Sequence, residues 1–250
     1  MILLWVPLLF FGISFVFSVL GLGGGGLYIP ILFWAGLRFK EEAIPLGVLL
    51  AVLTTASAAF TYIRGKLVDW RLALTFGLGM LVMPPLGAWA DLKIPSKPVI
   101  LAFALLTAAA GLLALSGWKP NQGAGLSSRQ EVAVGLTAGG VLGFMAGLTG
   151  RGGGGFVVPF LLMAGLPGKV AAATSTIVVF VASLSTFFAH ILVTQSPRWG
   201  LWLLCCAAVL VGSQAGSRFM ATRLKPKLLQ VAFGWLLIGI AAVLIIKDVL

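Results

Sequence analysis

Residues 149–162 read TGRGGGGFVVPFLL, and residues 20–33 read LGLGGGGLYIPILF. Each stretch places four consecutive glycines, followed by a proline, within a long apolar run. A glycine in a helix interior costs about 1 kcal/mol relative to alanine, so four in a row oppose a helix by roughly 4 kcal/mol. We therefore predict that two helices break at their glycines, and that a half helix of about 16 Å follows each break.

The rest of the chain is as apolar as these two stretches. Of its 250 residues, 60% are hydrophobic and 9% are charged, and the mean hydropathy is +1.11. Soluble domains carry roughly 25% charged residues. Uncharged runs recur along the whole chain, and most reach the roughly 20 residues that a helix needs to cross a bilayer. The composition predicts an all-α polytopic membrane protein.

The charged residues fit the same interpretation. With 17 Lys and Arg and 6 acids, the formal net charge is +11. The bases lie in short loops between apolar runs, where lipid headgroups and the positive-inside rule explain them without a nucleic-acid partner. The first residues, MILLWVPLLFFGISFVFSVL, lack a basic n-region and a small-residue cleavage site, so we expect a retained membrane span.

The two halves of the chain resemble each other. A shift of 129 residues aligns both glycine stretches and further positions along each half. The matched positions are Gly21, Pro30, Ala35, Gly36, Leu37, Lys40, Trp70 and Gly87 with Gly150, Pro159, Ala164, Gly165, Leu166, Lys169, Trp199 and Gly216. We predict a first transmembrane repeat over residues 1–117, a polar linker over 118–131 and a second transmembrane repeat over 132–250.

Loop charges bear on the relative orientation of the two repeats. The loop RGKLVDWR carries three bases and its counterpart TQSPRWG one, whereas DLKIPSK carries two and its counterpart RFMATRLKPK four. The bias reverses between the halves, which favours inverted repeats. Inversion needs an odd number of crossings per repeat, and each repeat has a broken or re-entrant glycine segment plus three further helices. Eight to ten crossings are expected, and a parallel four-plus-four arrangement stays open.

The glycine breaks are candidate binding sites for an anion. A helix start offers unpaired N–H groups and roughly half a positive charge, and glycine lets an anion approach the backbone. The candidate substrate-binding glycines are Gly23, Gly24, Gly25, Gly26, Gly152, Gly153, Gly154 and Gly155, with Pro30 and Pro159 as candidate hinges. Such a site needs no metal and no cofactor. The alternative is that these glycines only allow close helix packing.

Polar side chains near the breaks extend this hypothesis. Arg151 lies between two glycines, and an intramembrane arginine indicates substrate contact or gating unless it lies at a membrane face. Thr174, Ser175 and Thr176 open the next apolar run, where their hydroxyls either ligate an oxyanion or bond back to helix carbonyls. Thr54 and Thr55 face the same alternatives.

The sequence lacks the motifs that other kinds of activity require. The chain has no P-loop, no HExxH and no GxSxG, and His190 is its one histidine, so we predict that it is not an enzyme. His190 is interpreted as a helix-packing or interfacial group, with a proton-linked role as the alternative, and Gln214 as a group that joins helices rather than a ligand. All six acids flank or lie between the apolar runs, which disfavours cation transport and carboxylate-based proton coupling. An anion that leaves a cell with a negative interior gains about 2.3 kcal/mol per charge per 100 mV, so export needs no coupling ion.

Residues 147–179, GLTGRGGGGFVVPFLLMAGLPGKVAAATSTIVV, together with the first glycine stretch, resemble the sulfite exporter TauE/SafE family. The likeness covers nearly the whole chain. It implies a multi-pass permease of the bacterial cytoplasmic (inner) membrane that exports small sulfur-containing anions such as sulfite or organosulfonates. The positions that it implicates are the glycines of both stretches, Pro30, Pro159 and Thr174, Ser175 and Thr176. In the first half Pro45, Leu46 and Gly47 replace those three hydroxyl residues, so we expect no symmetric hydroxyl site.

The sequence therefore predicts a transporter of small oxyanions that works by alternating access. The glycine turns supply backbone donors, Arg151 supplies charge, and the partners are the anion and membrane lipid. An anion-selective channel and a non-transporting membrane scaffold remain alternatives, and the oligomeric state, monomer or homodimer, stays open.

Overall fold

The computed structural model describes residues 2–91, 128–149, 154–163, 165–191 and 198–245, and helical positions scattered between 101 and 116. Within these residues the chain forms helices joined by turns, which confirms the prediction of an all-α protein. The helices with defined bounds are α1 (Ile2–Leu20), α2 (Gly25–Trp34), α3 (Ile44–Arg64), α4 (Trp70–Asp91), α5 (Ser128–Thr149), α6 (Gly154–Met163), α7 (Gly168–Ile191), α8 (Trp199–Thr222) and α9 (Pro226–Leu244), and a π-helical turn (Phe39–Ala43) precedes α3.

The first break falls slightly earlier than predicted. Gly21, Gly23 and Gly24 have φ values of +70°, +75° and +79°, a left-handed conformation that glycine adopts without strain. Gly25 and Gly26 already belong to α2. The first N–H groups of a helix need no intrahelical acceptor, so glycines in the first turn oppose the helix less than interior ones.

The second break follows the same pattern where the structure describes it. Gly154 and Gly155 are the first residues of α6 and are helical, not part of the break. Arg151, Gly152 and Gly153 lie outside the described residues. Pro30 and Pro159 lie inside α2 and α6.

Helices from the two halves of the chain pack against each other. α1 lies against α8, α4 lies against α5, and α3 lies against α7, α8 and α2. In turn α7 contacts α4, α6 and α9. The helices α3 and α7 therefore occupy the centre of the bundle, with pairs from opposite halves on either side.

The contacts of small residues show the relative directions of the packed helices. In the α1–α8 contact, Gly212 lies against Phe11 and Ser14. One turn further along both helices, Gly216 lies against Phe15 and Ser18, so α1 and α8 run parallel. These glycines let two backbones approach closely, as small-residue rows do in membrane helices.

The contact between α4 and α5 has the same geometry. Gly135 lies against Thr75, Gly139 against Phe76, and Gly140 against Gly79. The paired numbers increase together along the two helices, so α4 and α5 also run parallel.

The central helices run in opposite directions. Leu20 and Leu22 of the first break share a buried cluster with Ala58 and Tyr62 of α3 and with Ala172 near the start of α7. The end of α3 thus lies beside the start of α7. We call the end of the bundle where α1, α3 and α8 begin the α3/α8 end, and the opposite end, where α4 and α7 begin, the α4/α7 end.

The outer faces of the bundle are apolar. Large hydrophobic side chains such as Leu8, Leu74, Leu203 and Trp235 are exposed on α1, α4, α8 and α9. Among the described residues, three helical segments are long and apolar enough to cross a membrane, namely Glu41–Arg64, Gly168–Phe188 and Trp199–Thr222. Shorter apolar helices cover Trp5–Leu20, Trp70–Met83 and Gly135–Phe144. These faces are suited to contact with lipid.

We predict that Gly79→Ala destabilises the protein. A Cβ at position 79 would lie 2.5 Å from the amide nitrogen of Gly140, so α4 and α5 would have to separate. Overpacking of this kind typically costs 1–3 kcal/mol, and the melting temperature in detergent should fall by about 5 °C.

Gly77→Ala on the same helix is the matched control. Among the described residues, nothing lies within 4 Å of a Cβ built at position 77, so this variant should melt at or slightly above the wild-type temperature. Equal melting temperatures for the two variants would contradict the close contact between α4 and α5.

Candidate functional site

The first glycine turn starts beside Ala172, near the start of α7, and reaches mid-height in the bundle at Gly23. A Cβ at Gly23 would stand 2.9 Å from Cγ2 of Thr55 and 2.6 Å from Cγ1 of Val179. Thr55 lies near the middle of α3 and Val179 near the middle of α7. The turn is therefore wedged between the two central helices, where only glycine leaves room for both side chains.

The start of α2 opens from this turn. Gly24 precedes the helix, and its carbonyl oxygen accepts the N–H groups of Leu27 at 3.0 Å and of Tyr28 at 3.2 Å. As a glycine, Gly24 offers no side-chain cap to the start of α2. The first N–H groups of a helix lack intrahelical acceptors and carry its positive end. The geometry therefore presents peptide donors at the depth where the anion site was predicted.

Packing also explains the glycines at positions 23 and 24. A Cβ at Gly24 would stand 2.6 Å from the ring of Tyr28, and both glycines have positive φ. Glycine is thus required at these two positions whether or not an anion binds. The predicted contact with an anion therefore concerns the amides that begin α2, at Gly25 and Gly26.

The structure describes less of the second break. Arg151, Gly152 and Gly153, three of the predicted site residues, lie outside the described residues. The helix α6 starts at Gly154, and its Val158 belongs to the buried cluster that holds Leu20 and Leu22 of the first break. Leu22, the counterpart of Arg151, is 5% exposed. One side of α6 therefore packs beside the first glycine turn.

The three hydroxyl residues of α7 are buried, and each has a protein partner. Only Thr176 bonds back along its own helix, to the carbonyl of Ala172 at 2.8 Å. Ser175 donates to the carbonyl oxygen of Gly21 at 2.9 Å. Thr174 accepts the backbone N–H of Asp69 at 3.0 Å. Two of the three hydroxyls thus join the second half of the chain to the first, which the sequence alternatives did not include.

Hydroxyl groups also surround the start of α2. The phenol oxygen of Tyr28 lies 2.9 Å from Oγ1 of Thr54, and both side chains are fully buried. Thr55 bonds back to the carbonyl of Ala51 at 2.7 Å. Sequence reasoning missed Tyr28, although a tyrosine two residues after a glycine run was a usable signal.

A second polar cluster joins α3 and α8. The amide group of Gln214 lies 2.9 Å from the hydroxyl of Ser57 and 3.1 Å from that of Thr61. Ser217 donates to Thr61 at 3.1 Å. This arrangement agrees with the interpretation of Gln214 as a group that holds helices together. His190 lies within α7.

Metal ligands are scarce in the described part of the chain. No group of three or more His, Cys, Asp or Glu side chains there could hold a metal ion. Where the structure describes it, the candidate site consists of peptide groups and neutral hydroxyls.

The sequence profile of the family described as "Sulfite exporter TauE/SafE" matches residues 6–244. The resemblance stated above is thus confirmed over nearly the whole chain. No solved structure gives a significant match.

Three curated relatives are similar over most of their length. The probable membrane transporter protein YunE of Bacillus subtilis is 25% identical over 228 residues, which cover 82% of each chain. The probable membrane transporter protein MJ0441 of Methanocaldococcus jannaschii is 26% identical over 201 residues, 76% of this chain and 73% of the relative. The probable membrane transporter protein y4hK of Sinorhizobium fredii is 24% identical over 221 residues, 85% and 87%. This chain is a multi-pass membrane transporter and belongs to the sulfite exporter TauE/SafE family.

Proposed function

We propose that the protein exports small sulfur-containing oxyanions, of the sulfite or organosulfonate class, by alternating access between two inverted repeats. The observation that carries this proposal is the uncapped start of α2, held at mid-height between α3 and α7. A binding site at the interface between repeats is typical of secondary transporters. The family name supports the class of substrate.

Two features support the duplication. The helices α2 and α6 both have 10 residues, and Gly154 follows Gly25 by the same 129 residues that align the sequences. The contacts also correspond, because α1 on α8 matches α5 on α4, and α3 on α8 matches α7 on α4.

The helix directions support inversion. Ser57 pairs with Gln214 and Thr61 with Ser217, so α3 runs parallel to α8, as α1 does. A turn of five residues, 65–69, separates α3 from α4, which reverses the direction of the chain. Because α5 runs parallel to α4, the corresponding helices α1 and α5 point in opposite directions.

The path of the first half favours five passes per repeat. From mid-height, α2 leads back to the α3/α8 end, where the turn Phe39–Ala43 starts α3. We propose ten crossings in total, with α2 and α6 as half-length passes. An odd number of passes per repeat produces the inversion without a long external connection.

The distribution of charged residues between the two ends predicts how the protein is oriented in the membrane. In the described part of the chain, the α4/α7 end carries nine bases and two acids, whereas the α3/α8 end carries three bases and three acids. By the positive-inside rule the α4/α7 end faces the cytoplasm. An anion then enters from the basic end, binds at the half-helix starts with Arg151 as the cationic partner, and leaves at the α3/α8 end down the membrane potential.

The first prediction of this proposal concerns the amides at the start of α2. Gly25→Ala combined with Gly26→Ala adds two methyl groups where an oxyanion would approach, and both positions are already helical, so alanine fits the backbone. Sulfite flux into proteoliposomes should fall at least tenfold, with membrane insertion and melting temperature kept.

Gly12→Ala is the control, because among the described residues nothing lies within 4 Å of its added Cβ. It should transport as the wild type does. A panel of sulfite, sulfate, thiosulfate and sulfoacetate should give saturable flux and counterflow with at least one anion. Wild-type flux in the double variant would contradict the anion site. Single-channel currents from the wild-type protein would favour the channel alternative. Absence of flux with every anion of the panel would favour the non-transporting scaffold.

The second prediction concerns orientation. In a background with Cys205→Ala and Cys206→Ala, a membrane-impermeant maleimide added to intact cells should label Trp199→Cys, an exposed position at the start of α8, but not Lys66→Cys, in the turn before α4. Lys66→Cys should react only after permeabilisation. The reverse pattern would contradict the proposed direction, and labelling of both from outside would contradict the helix parity.

A further inference from the structure

A buried carboxylate joins the two halves at the α3/α8 end. Glu42, in the π-helical turn before α3, has a side chain that is 5% exposed. Its Oε1 accepts Nε of Arg198 at 3.2 Å, and its Oε2 accepts the backbone N–H of Arg38 at 2.8 Å. Nε of Arg38 lies 3.8 Å from the same Oε2, and Arg38 also pairs with Glu41. Arg198 immediately precedes α8, so the ion pair connects residues from different halves.

Burial of Glu42 increases the free-energy cost of breaking this ion pair. A carboxylate removed from water loses several kcal/mol of hydration free energy, which the protein must replace with close opposite charge and hydrogen bonds. Loss of Arg198 leaves the buried carboxylate with Arg38 as its remaining cationic partner. Separation of the pair is therefore costly unless water reaches the carboxylate.

The opposite end has a different connection at the corresponding positions. Asp69 lies 129 residues before Arg198 and immediately precedes α4. It contacts the second half through its backbone N–H, which donates to Oγ1 of Thr174 at 3.0 Å. The position that matches Glu42 is Ala171, which is buried. Among the described residues, an ion pair between the halves therefore occurs at the α3/α8 end, and a neutral hydrogen bond replaces it at the α4/α7 end.

We propose that the Glu42–Arg198 ion pair is a latch that keeps the α3/α8 end closed and that breaks when the halves rock apart at that end. The proposal rests on the alternating access proposed above. Both arginines are half exposed, so water reaches their guanidinium groups while Glu42 remains covered. The latch therefore biases the resting protein towards the state that is open at the α4/α7 end.

The test measures the accessibility of each end separately. In the background without Cys205 and Cys206, Leu46→Cys reports on the α3/α8 end, because Leu46 is fully buried one helical turn after Glu42. Ala58→Cys, also fully buried, reports on the opposite half of α3. The readout is the rate of labelling by a water-soluble maleimide in membrane fragments, where the reagent reaches both faces.

Two variants break the latch. Glu42→Gln keeps an acceptor for the N–H of Arg38 but removes the charge, and Arg198→Gln removes the cation. In each variant the maleimide should label Leu46→Cys at least fivefold faster than in the protein with an intact latch. It should label Ala58→Cys more slowly, because opening at one end disfavours opening at the other. Arg198→Lys, which keeps the charge, should restore most of the slow labelling.

Arg64→Gln is the matched control, since Arg64 is an exposed base at the other end, stacked 4.1 Å from the centroid of the Phe60 ring. It should leave both rates unchanged. Unchanged labelling of Leu46→Cys in both latch variants would overturn the proposal, and so would a rise at both reporters together, which indicates general loosening. The labelling needs no substrate. If it changes as expected while no anion is transported, the latch stands and the proposed function fails.

Discussion

The peptide groups of the first glycine turn impose the main constraint on this structure, because they extend to mid-height in an apolar bundle. Irregular backbone is tolerated at that depth only where protein groups or a water-filled cavity satisfy its hydrogen bonds. Ser175 satisfies the carbonyl of Gly21, and the N–H groups of Gly21 and Leu22 return to carbonyls of α1 at 3.3 and 3.0 Å. The start of α2 follows from this turn. The central position of α3 and α7 is the arrangement that encloses such a break.

Packing and ligand binding are compatible explanations of the glycine run, because they concern different residues. Gly21, Gly23 and Gly24 have left-handed backbone and close neighbours, so their identity follows from geometry. Gly25 and Gly26 are helical, and a residue with a side chain can adopt this backbone conformation equally well. The anion hypothesis accounts for the absence of side chains at those two positions.

Much of this architecture follows from sequence pattern, and its long-range contacts do not. Apolar runs and glycine penalties predict an all-α membrane protein, and they locate the first break to within two residues. The partners of Glu42 and Ser175 could not be predicted, because Arg198 and Gly21 lie 156 and 154 residues away along the chain. Glu42 looked like a loop acid for the same reason. The sequence shows that the halves differ, since Thr174 stands where the first half has Pro45. It does not show that the Thr174 hydroxyl joins the two halves.

The central claim is that the start of α2 binds an oxyanion at membrane depth. The most direct measurement is a crystal structure grown with selenite, whose selenium scatters anomalously and whose shape resembles that of sulfite. The account predicts an anomalous peak close to Gly25 and Gly26, with selenite oxygens about 3 Å from their amide nitrogens. Anomalous density confined to the basic loops, with none at the glycine turn under saturating selenite, would contradict it.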